Sequence, residues 1–280
     1  MSRIAQKFAS LKQQGRKALI PFITAGDPTP DMTVELMHTL VRAGADIVEL
    51  GVPFSDPMAE GPVIQRASER ALKHGVSLKS VVAMVKEFRQ DDRDTPVILM
   101  GYLNPIEVMG YARFAAMAAD AGVDGTITVD LPPEEGAEWL KVLYGYDIAP
   151  VFLLAPTSSI QRIQLIASQT RGFIYYVALR GVTGAQHLDI REVEARLALI
   201  RGYTVLPIGV GFGISTAESA AAVAKLADAV VVGSAIVKKI EQLQAQPDKI
   251  HPALASFIGE IRASMDNLGF GTAPVSKVQQ

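Results

Sequence analysis

Eight short apolar runs, each followed by sequence of helical period, dominate the chain. They begin near Ala18 (ALIPFITAG), Asp46 (DIVELG), Pro96 (PVILMGY), Asp124 (DGTITVD), Ile148 (IAPVFLLA), Gly172 (GFIYYVAL), Thr204 (TVLPIGVG) and Asp228 (DAVVVGS). Most lack polar alternation, as strands covered on both faces must. Between them, Val34, Met37 and Val41 share one helical face, and Val81, Met84, Val85 and Phe88 share another behind Ser77. Ser215 and Glu218 have the spacing of a capping box at a helix start. Strands alternating with helices require a parallel sheet. Eight units in 280 residues suit an α/β fold of the (β/α)8 TIM barrel type, which typically runs to about 250 residues. An open doubly wound sheet is the alternative. The regularity of the units, with no second compositional region, favours one closed barrel over residues 1–280. GADIVELGV, GVDGTITVD and LADAVVVGS echo one another, each placing an Asp before an apolar strand.

Residues 1–17 carry five basic side chains and no acidic one, a bias shared with transit peptides. However, Ile4, Phe8 and Leu11 fall on one face, so residues 2–14 read as an added N-terminal helix. The tail 269–280 reads as frayed. No apolar run is long enough to span a membrane, and the expected compartment is the cytoplasm. The chain has no cysteine, four histidines and a formal net charge of −2. These exclude disulfides, thiolate metal sites and a cysteine nucleophile. They also argue against nucleic-acid binding, which needs a basic field.

Two gaps between strand starts stand out. The second and third starts are 50 residues apart, and the sixth and seventh 32. In a barrel such βα loops lie on the C-terminal face, where active sites form. The glycine-rich segments GVGFGIS (209–215) and GSAIV (233–237) end the last two strands and lead into helices. Backbone N–H groups there suit a phosphate. Glu49 sits in an apolar strand, which raises a carboxyl pKa and suits it to proton transfer. On pattern alone, a structural ion pair remains the alternative. Asp56 reads as a turn former, and Glu60 either reaches over the barrel mouth or faces solvent. None of the strands contains lysine or histidine, so a strand-borne Schiff base, a catalytic zinc or a Ser-His-Asp triad is not expected. Phe22, Met100, Ile127, Leu153, Tyr175 and Phe212 lie at or near C-terminal strand ends. They would line a pocket for a flat aromatic group.

PFITAGDP (21–28), ADIVELGVPFSDP (45–57), GP-IQ (61–65), GYLNP (101–105), GVTGA (181–185), GFGIS (211–215) and VVGSAIV (231–237) resemble the tryptophan synthase alpha chain family. The likeness runs from about residue 2 to residue 268 and implies a single (β/α)8 barrel. It implies a lyase that splits indole-3-glycerol phosphate into indole and glyceraldehyde 3-phosphate. Glu49 matches the catalytic acid–base. Glu60 matches the second carboxylate, although the family pattern has Asp there. The longer arm adds roughly 1.5 Å of reach, where about 1 Å of misplacement can cost on the order of 10²-fold. Gly184, Phe212, Gly213, Gly233 and Ser234 match the phosphate-binding positions, and Thr183 the loop-closing one. Ala178 stands where the family often has Ser.

The resemblance also implies a partner, a beta chain in an αββα assembly, facing Pro53, Phe54, Asp56, Pro57 and Asn104. Pyridoxal phosphate would belong to that beta chain, and no cofactor or metal to this one. Another phosphate-binding barrel, such as a sugar-phosphate isomerase or cyclase, and a non-catalytic activating subunit are the competing readings. The first shares the glycine loops but not ELGVPFSDP. The second draws on the Glu60 departure, and intact Glu49 opposes it.

Overall fold

In the computed structural model, which describes residues 1–178, 190–211 and 213–268, the apolar runs form parallel strands. They are β1 (Ala18–Thr24), β2 (Val48–Gly51), β3 (Val97–Gly101), β4 (Gly125–Thr128), β5 (Ala149–Pro150), β6 (Leu153–Leu154), β7 (Ile174–Val177), β8 (Ile208–Gly211) and β9 (Ala229–Val232). Hydrogen bonding orders them β5-β4-β3-β2-β1-β9-β8-β7-β6. The run read as one fifth strand is thus split around Val151 and Phe152. Those two residues still bridge the seam. Val151 N–H donates to Thr126 O at 2.9 Å, and Tyr175 N–H donates to Phe152 O at 3.1 Å. β5 and β6 are therefore two halves of one stave, and the sheet closes as an eight-stave barrel.

The helices are α1 (Arg3–Gln13), α2 (Thr33–Arg42), α3 (Pro62–Lys73), α4 (Leu78–Phe88), α5 (Leu103–Met109), α6 (Tyr111–Ala121), α7 (Ala137–Gly145), α8 (Ile160–Gln169), α9 (Ile190–Arg201), α10 (Ala217–Ala224), α11 (Ser234–Leu243) and α12 (Ile250–Asp266). The helix-start expectation at Ser215 and Glu218 is off by one residue. Thr216 is the extended N-cap of α10 and forms the box with Ser219. Both Ser215 and Thr216 carry hydroxyls, so the pattern alone did not choose between them. The tail 269–280 lies outside the described residues, as do Thr183, Gly184 and Phe212.

Side chains alternate along each strand. Leu19, Ile23, Val48, Leu50, Val97, Leu99, Ile174 and Val210 point outward into the main core under the helices. Ile20, Ile47, Ile98, Ile127, Val151, Phe173 and Val231 point inward. α1 plugs the bottom of that inner core. Ser2 caps it, its hydroxyl accepting from Ala5 N–H at 3.3 Å. Ile4, Phe8 and Leu11 are buried with the barrel interior, and the Phe8 and Phe173 rings lie 5.7 Å apart. Burying one such side chain contributes about 1.5–3 kcal/mol.

The repeated Asp has a structural job at the same end. Asp46 Oδ2 accepts from Leu19 N–H at 2.9 Å, Asp124 Oδ2 from Val97 N–H at 2.8 Å, and Asp228 Oδ2 from Ile208 N–H at 3.0 Å. Each carboxylate thus ties the strand it precedes to the strand before. Each is also met by an arginine: Arg262 at 3.1 Å, Arg89 at 2.7 Å and Arg201 at 2.9 Å. This face holds the barrel together and leaves the opposite face free for chemistry.

Candidate active site

The C-terminal face opens into a cavity of about 720 Å³. Glu49 forms part of its floor. It lies on β2 beside Phe22 of β1 and Ile98 of β3. Period-two alternation points it inward above Ile47. Glu49 is 1% exposed, and its Oε2 has no hydrogen-bond partner. Burial, and then the charge of Glu60, raise its pKa to about 8. An isolated buried carboxylate is costly, so the group keeps its proton.

Glu60 lines the same cavity. Burial raises its pKa to about 6. Its loop is built from short local bonds: Met58 N–H donates to Asp56 O at 2.8 Å and Glu60 N–H to Pro57 O at 3.0 Å. Gln65 Nε2 donates to Glu60 O at 2.9 Å, which ties the loop to the first turn of α3. Tyr102, just past β3, anchors the loop from the side. Its hydroxyl accepts from Ala59 N–H at 3.0 Å, and its ring stacks on Phe54 at 5.2 Å. That anchor has no signature in the sequence.

Phe22, Met100, Leu153 and Tyr175 all line the cavity. Ile127 does not; it points inward but sits one step lower, among the barrel core. The wall at that stave is Val129, two residues further on the same face. Two glycines admit the aromatic rings. A Cβ on Gly211 would lie 2.3 Å from the Tyr175 hydroxyl, and one on Gly51 would lie 2.5 Å from the Phe22 ring. Burial, and then Glu49 and Glu60, raise the Tyr175 pKa well above its ordinary value. Tyr175 therefore stays a neutral phenol.

Gly213, Ile214, Gly233 and Ser234 line the cavity beyond β8 and β9, the staves between Tyr175 and Phe22. The two glycine-rich loops differ in one respect that matters. The start of α10 is occupied by its own box, with Ser219 N–H donating to Thr216 Oγ1 at 3.2 Å and Thr216 N–H to Ser219 Oγ at 3.1 Å. α11 has no side-chain cap. The first N–H groups of a helix have no partner within it, and they carry its positive end. Of the two glycine loops, the head of α11 is the one whose N–H groups are open to take an anion.

The segments expected to meet a partner lie beside the mouth. Pro53 is buried, Phe54 and Pro57 are half-buried, and Asp56 and Asn104 are exposed. Met58 and Val108 are 80% and 83% exposed. Val108 lies on the same side of α5 as Asn104, four residues on. Among the described residues no cluster of three or more His, Asp or Glu side chains is placed to hold a metal ion, and no helix is long and apolar enough to cross a membrane.

The tryptophan synthase alpha chain family model matches residues 8–266. Tryptophan synthase alpha chains of Thioalkalivibrio sulfidiphilus and Methylococcus capsulatus are 59% and 57% identical over 266 residues, covering 95% of this chain and 100% of each relative. The solved tryptophan synthase subunit alpha of Legionella pneumophila superposes with a TM-score of 0.89 at 46% identity, covering 96% of this chain and 100% of that one. A chain of Mycobacterium tuberculosis tryptophan synthase, in its aminoacrylate-bound form, superposes with a TM-score of 0.84 at 33% identity over 95% and 100% of the two chains. A match that spans the barrel from plug helix to last helix, at these identities, has one reading: the chain belongs to the tryptophan synthase alpha chain family.

Proposed function

We propose that the chain, as a single barrel domain, cleaves indole-3-glycerol phosphate by a retro-aldol step and releases indole and glyceraldehyde 3-phosphate. Family membership supports the reaction. The observation that carries the residue roles is the buried Glu49 carboxyl. It keeps its proton near neutral pH in the floor of a cavity that ends at an uncapped helix.

The steps follow from the two pKa values. Near pH 7 Glu49 is mostly protonated and Glu60 mostly ionised. Glu49 gives its proton to indole C3, and positive charge develops on the ring nitrogen. Glu60 accepts the ring N–H and stabilises that charge. The bond from C3 to the side chain then breaks, its electrons returning to the ring. The adjacent hydroxyl becomes the aldehyde, and its proton goes back to Glu49. One carboxyl group thus serves both transfers, and the proton count closes. Gly213, Gly233 and Ser234 hold the phosphate with backbone N–H groups and the Ser234 hydroxyl. Phe22, Met100, Leu153 and Tyr175 hold the indole, with Val129 in place of Ile127. The longer arm of Glu60 requires its loop, tied at Ala59 and Gln65, to hold it back from the ring by the extra methylene. Phe212 and Gly184 as phosphate contacts, and Thr183 as the residue that closes over the site, lie outside the described residues. Their roles rest on the family pattern.

As an alpha chain of tryptophan synthase it works with a beta chain. An αββα assembly in the cytoplasm is the arrangement proposed, with pyridoxal phosphate in the beta chain and none in this one. Pro53, Phe54, Asp56, Pro57 and Asn104 belong to the facing surface, joined by the exposed Met58 and Val108. An assay of indole release tests the reading. Slow release by the isolated chain, faster with a beta chain and lost in Glu49→Gln, is expected. Full activity in Glu49→Gln, or a rate indifferent to a saturating partner, would overturn it.

A further inference from the structure

Helix α3 is not one of the barrel's own helices. It fills part of the long connection between β2 and α4, so no stave of its own lies beneath it. Its apolar seat is narrow: Ala67, with Val63 and Ile64, packs on Phe22 of β1 and Val237 of α11, and Ala71 joins the main core. Charged groups flank this seat. Arg66 Nε and Nη2 donate to the two oxygens of Glu241 on α11, at 2.6 and 2.9 Å. One turn further, Arg70 Nη1 donates to Glu241 Oε1 at 3.0 Å. The same Arg70 grips Asp27, just past β1, through Nε at 2.7 Å and Nη2 at 3.0 Å. The side chains of Arg70 and Asp27 are 15% and 0% exposed. A forked pair in that setting is directional and strong.

The two ends of this chain of ions lead to the two ends of the site. Glu60 stands two residues ahead of α3. Ser234 opens α11, two turns before Glu241 on that helix. We infer that the Arg66–Glu241–Arg70–Asp27 network sets the span of the active site, holding the Glu60 carboxylate at a fixed distance from the anion seat of α11. None of the four residues lines the cavity; they are positioning residues. The inference rests on the assignment of Glu60 and Ser234 above. A ligand that reaches both subsites gains from the second contact only when the spacing matches. Loosening α3 on α11 therefore weakens a joined ligand and leaves its halves alone.

The experiment compares three probes on the isolated chain: inorganic phosphate, indole, and an indole joined to a phosphate by a three-carbon chain. Glu241→Ala removes the ion contacts of Arg66 and Arg70 with α11 while the Asp27–Arg70 pair survives. Arg66→Ala, at the exposed end of the network, is the second variant. Both are expected to weaken the joined probe about tenfold and each half less than about twofold. Glu241→Asp, keeping the charge on a shorter arm, is expected to recover part of the loss. Equal weakening of all three probes, which marks local damage, or no weakening of the joined one, would overturn the inference. A wild-type chain that binds none of the three would instead overturn the site assignment.

Discussion

The charge of Glu60 helps to keep Glu49 protonated: the two carboxyl groups share one cavity, and after burial Glu60 is the second cause of the rise in the Glu49 pKa. The proposed mechanism needs Glu49 protonated and Glu60 ionised. Activity is therefore lost as pH falls through about 6 and as it rises through about 8. The expected profile of kcat/KM is a bell with limbs belonging to the coupled pair. In Glu60→Gln the acid limb disappears and the alkaline limb moves to lower pH, because the neighbouring charge is gone. The rate falls by about 10²-fold. Steady-state indole release across pH 5 to 9 checks both, and an alkaline limb that stays in place would refute the coupling.

Glu49 also sets a pH dependence of stability. Its folded pKa of about 8 lies above the ordinary carboxyl value. Between the two the folded chain binds more protons than the unfolded one, so stability falls as pH rises through that window. Glu49→Gln removes the penalty. The variant is expected to melt higher than wild type by an amount that grows from about pH 5 to pH 8, reaching on the order of a few degrees. Thermal melts at several pH values measure it. A pH-independent difference would contradict the shift.

Ser234→Asp places a negative charge at the uncapped head of α11, in the wall of the cavity. The helix tolerates it, since an acid suits an N-terminus. Phosphate does not. KM is expected to rise by on the order of 10²-fold with folding intact, because two anions compete for one seat. A substrate titration with a parallel melt distinguishes this from misfolding. Unchanged KM would place the phosphate elsewhere.

Phe8→Ala leaves a hole beneath the barrel. Phe8 is buried against Phe173, and a cavity of this kind costs about 3–5 kcal/mol. Urea unfolding is expected to show that loss, while the remaining folded chain keeps its lyase rate, since the plug and the cavity lie at opposite ends. A variant as stable as wild type would show that the plug is only loosely seated.

What was legible in the sequence was whatever repeats or breaks a repeat. Glu49 interrupts an apolar strand, and Phe22, Met100, Leu153 and Tyr175 stand at strand ends on the inward face, so period and position found them. Alternation gives the face and not the height, so it points to Ile127 where the cavity is lined by Val129, the next residue on that face. Thr216 rather than Ser215 caps α10, since backbone geometry decides between neighbouring hydroxyls. Arg70 lies 43 residues from Asp27 and 171 from Glu241. No local pattern joins such partners. The same holds for Tyr102 and Ala59, and for Tyr175 and the space left by Gly211.

The plug helix carries a consequence for the order of events on the ribosome. α1 precedes every strand of the barrel in the chain, yet its aromatic anchor needs Phe173, the residue just before β7. At about 5–20 residues per second, that partner emerges on the order of ten seconds or more later. Until then the apolar stripe of Ile4, Phe8 and Leu11 has no seat. A helix made before every stave therefore docks late, and the nascent chain carries an open barrel floor until Phe173 has emerged.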